Sequence, residues 1–120
     1  MFSGKALENK VAMVTGAAQG IGAAIARAYA AQGAKVAVVD WNGEKAQEVA
    51  AEIRKQGQHA IGVACDVSDR ASVDAAVAEI TSKIGPVEVL VNNAGITRTA
   101  MLHKMSRHQW DHVINVHLGG

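Results

Sequence analysis

Thr15-Gly16-Ala17-Ala18-Gln19-Gly20-Ile21-Gly22 joins the short apolar run Val11–Val14 to a segment with helical periodicity. Three glycines in eight residues mark a turn whose backbone must stay uncovered. A phosphate bound at such a turn needs bare N–H groups, and a helix N-terminus adds partial positive charge. The spacing is Gly-x-x-x-Gly-x-Gly, one residue longer in its first gap than the general Gly-x-Gly-x-x-Gly pattern. No Lys-Ser/Thr follows, so the triphosphate-binding P-loop is not supported. The plain alternative is a tight strand–helix turn without a ligand.

Outward from this turn, two kinds of segment alternate. Val11–Val14, Lys35–Val39, Ala60–Ala64 and Val87–Val91 are near-continuous apolar runs, as expected of parallel strands covered on both faces. Between them lie helical stripes. Ile21, Ile25, Ala28 and Tyr29 share one face, ending at Gly33. Ala46, Val49, Ala50 and Ile53 form the second, with Gly57 beyond. Val73, Ala76, Val77, Ile80 and Ile84 form the third, introduced by Ser68 and ended by Gly85-Pro86. Ser106 with Gln109 matches a capping box, and Trp110, Val113, Ile114 and His117 follow at helical spacing, which predicts a fourth helix. Alternating strands and helices with right-handed crossovers predict an α/β, doubly wound parallel sheet of order 3-2-1-4. The fourth strand is then an edge unless a further segment pairs with it.

Asp40 ends the second run, 20 positions after Gly20. A carboxylate there accepts the ribose hydroxyls of an adenosine. It would repel a 2′-phosphate by a few kcal/mol at an effective dielectric of about 20. Ala17, Ala18 and Trp41 offer no compensating charge. The residues therefore favour NAD over NADP. A solvated aspartate at a strand end is the bland alternative.

Composition limits the remaining classes. The hydrophobic share is 49% and the aromatic share only 3%, so small and branched aliphatics suit close helix-on-sheet packing. Twelve basic and eleven acidic residues leave a net charge of +1 without a basic block, which argues against nucleic-acid binding. The single Cys65 gives no disulfide framework, and a reducing cytoplasm is the expected setting. No apolar run reaches the roughly 18 residues of a membrane span. Neither a signal-peptide core nor a membrane partner is expected.

At these residues the chain resembles the short-chain dehydrogenase/reductase family. The Thr15–Gly22 stretch matches that family's glycine motif and its spacing. Cys65-Asp66-Val67 follows the third strand, where the family's Asp-Val pair contacts adenine. Asn92-Asn93-Ala94-Gly95 follows the fourth and matches the Asn-Asn-Ala-Gly signature that steadies the sheet and lines the cofactor cleft. Trp110 to Gly120 resembles the helix that carries the family's active-site asparagine, here Asn115. Thr97-Arg98-Thr99-Ala100-Met101-Leu102 is similar to the matching loop of 3-oxoacyl-carrier-protein reductases, with alcohol dehydrogenases the other near group.

The resemblance implies a Rossmann-type NAD-binding domain over residues 1–120, the N-terminal portion of a longer unit. It implies an NAD(H)-dependent oxidoreductase interconverting an alcohol and a ketone or aldehyde, cytoplasmic and homo-oligomeric (dimer or tetramer) at full length. Cofactor contacts fall on Thr15, Gly16, Gln19, Gly20, Ile21, Gly22, Asp40, Trp41, Asp66, Val67, Asn92, Asn93, Ala94 and Gly95. Asn115 is the one catalytic residue in hand. The family's catalytic Tyr-x-x-x-Lys is missing. The single tyrosine, Tyr29, is followed four residues on by Gly33 and reads as core. The 120 residues alone are therefore expected to bind cofactor without turnover. The other reading is a non-catalytic, truncated nucleotide-binding domain. His108 and His112 are i,i+4 but lack further ligands, so no metal site is assigned. His117 and Cys65 are read as packing residues.

Overall fold

The computed structural model describes residues 7–93 with their side chains and the backbone of 112–115. Along the chain run β1 (Val11–Thr15), α1 (Gly20–Ala31), β2 (Lys35–Asp40), α2 (Gly43–Lys55), β3 (His59–Ala64), α3 (Arg70–Lys83), β4 (Val89–Asn92) and β5 (His112–Asn115). All pairings are parallel and the sheet order is β3-β2-β1-β4-β5. The expected 3-2-1-4 arrangement is present, with one more strand beyond it.

The sheet is buried on both faces because side chains alternate along each strand. Ala12, Val14, Val36, Val38, Val89 and Val91 point to one layer, where they meet Ala23, Ala26 and Ala30 of α1 and Ala46, Val49, Ala50 and Ile53 of α2. Val11, Met13, Ala37, Val39, Val63 and Leu90 point to the other, against Val73, Ala76, Val77 and Ile80 of α3. Each buried Val, Leu or Ile contributes on the order of 1.5–3 kcal/mol of hydrophobic stabilisation. The apolar stripes of α2 and α3 are those the sequence predicts.

Three expectations are corrected. First, α1 does not bury Ile21, Ile25, Ala28 and Tyr29. Its buried residues are Gly22, Ala23, Ala26 and Ala30; Ile21 is 50% exposed and Ala28 is exposed. Ile25 and Tyr29 are half-buried at the margin of the core. Small side chains, rather than the largest ones, face the sheet, so the helix axis lies close to β1 and β2. Second, α3 starts one residue later than Ser68 suggests. Asp69 is its cap, accepting the Ala71 N–H at 3.0 Å.

Third, residues 112–115 are a strand, not part of a helix. Val113 and Ile114 are β-branched and favour extended backbone. Their ladder, Val89↔His112 to Asn92↔Asn115, pairs the edge of β4, which is therefore not the exposed strand the sequence suggests. The capping box at Ser106 and Gln109 lies outside the described residues.

Candidate nucleotide site at the carboxyl edge of the sheet

Parallel strands put all their carboxyl ends on one edge, and in such sheets ligands bind there. Thr15, Asp40, Ala64 and Asn92 end their strands at this edge, with the backbone of Asn115 in register beside Asn92. The glycine turn rises from Thr15. Gly16 and Gly20 both have φ +62°, a left-handed conformation that L side chains disfavour. Gly22 is required by contact. A Cβ there would lie 2.0 Å from the Gly16 carbonyl oxygen and 2.6 Å from Asn93 Nδ2. At Gly20 a Cβ would meet nothing within 4 Å, so the turn faces open space there.

The turn is tied to its neighbours by backbone donors. Ala17 N–H donates to the Val39 carbonyl at 3.0 Å and Ala18 N–H to Asp40 Oδ2 at 3.2 Å. Gln19, the N-cap of α1, makes no side-chain cap, whereas Asn42 and Asp69 cap α2 and α3. The first N–H groups of α1 are thus left for a group in front of the turn.

Beneath it, Thr15 and Asn92 are fully buried polar residues. Thr15 Oγ1 donates to Asn92 Oδ1 at 3.0 Å and accepts the Asn93 N–H at 2.9 Å. Asn93 Nδ2 donates to the Gly16 carbonyl at 3.3 Å. Thr15 and the two asparagines therefore lock the end of β4 to the glycine turn. Asn93 Oδ1 is a buried acceptor with no partner among the described residues.

At the other end of the edge, Trp41, Ala64, Cys65, Asp66 and Ser72 line an open cleft of about 480 Å³. Trp41 is 80% exposed. Ser72 Oγ accepts the Asp66 N–H at 2.9 Å, and Asp66 Oδ1 accepts Ser68 N–H and Oγ–H at 3.0 and 2.6 Å. Val67 is half-buried against the core on the α3 side. Burial pushes the Cys65 thiol up. A Ser72 hydrogen bond opposes this, and the Asp66 and Asp69 carboxylates add to it. Cys65 is thus a neutral packing residue, as its sequence context suggests. Burial also raises the Tyr29 hydroxyl, which sits toward the end of α1 away from the turn.

The structure brings Thr15, Gly16, Gln19, Gly20, Ile21, Gly22, Asp40, Trp41, Asp66, Asn92 and Asn93 to one edge. Ala94 and Gly95 lie outside the described residues, as do His108, His117 and the 97–102 loop. Asn115 sits at the end of a strand instead of within the expected helix. Ser72 was not legible as a cleft residue, because only the return of α3 against β3 brings it beside Cys65. Among the described residues no group of three or more His, Cys, Asp or Glu is placed to hold a metal ion, and no helix is long and apolar enough to cross a membrane.

These features fit a dinucleotide. Open space fronts Gly20, no side chain caps α1 at Gln19, a carboxylate ends β2 beside the glycine turn, and Asn93 Oδ1 is buried with no partner among the described residues. Comparisons with known proteins point the same way. The family model described as short chain dehydrogenase matches residues 10–120. Over 119 residues the chain is 42% identical to 2,3-dihydro-2,3-dihydroxybenzoate dehydrogenase of Bacillus subtilis, covering 99% of this chain and 46% of that protein. It is 48% identical to D-threitol dehydrogenase of Mycolicibacterium smegmatis, covering 95% and 44%. A hydroxysteroid dehydrogenase structure from Escherichia coli superposes with a TM-score of 0.74 at 38% identity, over 78% of this chain and 39% of that one. The chain spans a little under half the length of the curated relatives it matches.

Proposed function

Because this chain belongs to the short-chain dehydrogenase family, a family of oxidoreductases, we infer that it is the cofactor-binding half of an NAD(H)-dependent enzyme. That enzyme interconverts an alcohol and a ketone or aldehyde. Residues 1–120 form its NAD-binding domain. Relatives named for the oxidation of D-threitol and for the reduction of a 3-oxoacyl group support the alcohol–carbonyl class.

One observation carries the choice of NAD: the half-buried Asp40 carboxylate stands at the tip of β2, its Oδ2 3.2 Å from the Ala18 N–H of the glycine turn. A second anion at this place would face that carboxylate, and a ribose hydroxyl would donate to it. Gly16, Gln19, Gly20, Ile21 and Gly22 take the diphosphate on N–H groups and the α1 terminus. Trp41, Asp66 and Val67 border the base, Asn92 and Asn93 form the floor, and Ala94 and Gly95 are assigned to the cofactor on the Asn-Asn-Ala-Gly motif alone. Thr15 holds that floor in place. Bound NAD supplies the hydride acceptor. Asn115 acts near the reacting groups, at the end of the site next to Asn92. In the whole protein this half works within a soluble, cytoplasmic homo-oligomer.

The test is alcohol oxidation by the protein that carries this chain, with NAD and NADP compared at equal concentration. A kcat/KM at least about tenfold higher with NAD is expected, a difference of about 1.4 kcal/mol. Equal use of both, or preference for NADP, overturns the assignment to Asp40. A polypeptide of these 120 residues alone should bind NADH without turnover. Its one tyrosine is packed at the core margin and is followed four residues on by Gly33. Turnover by that polypeptide would contradict the role given to the missing Tyr-x-x-x-Lys.

A further inference from the structure

Asp40 has more partners than ribose selection needs. Oδ2 accepts the Ala18 N–H at 3.2 Å and Oδ1 accepts the Asn42 N–H at 3.0 Å. The carbonyl of the same residue accepts the Cys65 N–H at 3.0 Å. One residue therefore joins the glycine turn, the cap of α2 and the end of β3. The two side-chain bonds are charge-assisted, which makes them stronger than neutral ones. Each carboxylate oxygen keeps a further lone pair for a ribose hydroxyl.

We propose that Asp40 is a positioning residue for the diphosphate cradle: its carboxylate clips the glycine turn to the start of α2, so the group that selects the ribose also shapes the turn. Ala17 and Ala18 direct their N–H groups back to β2, at the Val39 carbonyl and the Asp40 carboxylate. These two bonds tie the first half of the turn to the tip of β2. Without the carboxylate, Ala18 and Asn42 lose their acceptors together. The turn and the cap residue Asn42, whose Oδ1 holds the Lys45 N–H at 3.2 Å, then loosen in concert. Removing the carboxylate therefore has two effects at once: it relieves the repulsion of a 2′-phosphate and it loosens the cradle that both dinucleotides share.

The inference rests on the NAD reading only for its ligand arm. The test compares the unchanged protein with Asp40→Ala and Asp40→Asn. In the ligand-free state, amide hydrogen exchange at Ala18 and Asn42 should speed up at least about tenfold in Asp40→Ala, with Met13 in β1 unchanged as a sign that the sheet holds. Asp40→Asn keeps one acceptor oxygen, so one of the two amides should stay protected. If Asp40→Ala does not fold, Asp40→Asn carries the same comparison. In titrations, NADH should bind Asp40→Ala more weakly than it binds the unchanged protein. Unaltered exchange at Ala18 and Asn42 overturns the clip. Failure of the unchanged protein to bind either dinucleotide would defeat the NAD reading and leave the exchange result to decide the clip.

Discussion

The two ends of the carboxyl edge are built on opposite terms. Around the glycine turn, Thr15, Gly16, Gly22, Asn92 and Asn93 pack so closely that a single added carbon at Gly22 has no room. Thr15 and Asn92 are fully buried there, and Thr15, Asn92, Asn93 and the Gly16 carbonyl are linked by hydrogen bonds. Around Trp41, Asp66 and Ser72 the edge is open, and a large indole lies 80% exposed. On the proposed reading the closed end holds a diphosphate at fixed backbone distances and tolerates little. On the same reading the open end receives a flat aromatic base, so side chains there can change with smaller loss.

The largest effect is expected at the closed end. Gly22→Ala forces its Cβ against the Gly16 carbonyl, and separating them should cost about 1–3 kcal/mol or more in a denaturant melt. Cofactor affinity should fall at the same time. Full stability and full affinity would mean that the turn is not tightly packed. Thr15→Val comes next. It keeps the shape of the side chain and removes the hydroxyl that serves Asn92 and the Asn93 N–H. Leaving these buried groups unpaired should cost about 1–3 kcal/mol, measurable by urea unfolding. A neutral result would show that the buried network is not needed.

At the open end, Trp41→Ala should leave stability within about 0.5 kcal/mol, since the residue is 80% exposed. It should weaken NADH binding only several-fold. A loss as large as that of Gly22→Ala would erase the contrast between the two ends. The smallest effect concerns Cys65. Its raised thiol pKa means the folded protein holds the proton more tightly than the unfolded chain. That contribution is complete below the ordinary thiol pKa and is lost as pH rises through and above it. Stability should therefore decline slightly as the solution becomes alkaline, and alkylation at neutral pH should be slow. Rapid labelling at neutral pH would place the thiol in solvent.

The closed end was the more legible in the sequence. Gly16, Gly20 and Gly22 announce themselves by their spacing at the strand–helix turn, and Asp40 because it ends the second apolar run 20 positions after Gly20. The apolar runs of β1, β2 and β3 and the stripes of α2 and α3 follow from periodicities that burial on one or both faces imposes. Two readings failed for local reasons. In α1 the large side chains drew attention, but contact with the sheet there is made by alanines, whose pattern carries little hydropathy contrast. At 112–115 the spacing of Val113 and Ile114 matches a helix stripe as well as a strand, and periodicity does not separate the two over four residues, although β-branching leans to the strand. Backbone pairing with β4 decides for the strand. The clip formed by Asp40, Ala18 and Asn42 was not legible at all, because two of its three members contribute only main-chain N–H groups.

On the NAD reading, the carboxylate at the tip of β2 would accept ribose hydroxyls and turn away a 2′-phosphate. Titrating the ligand-free protein with NADH and NADPH under identical salt conditions tests it most directly. The account predicts that NADH binds at least about tenfold more tightly. Equal affinities, or tighter binding of NADPH, would contradict it.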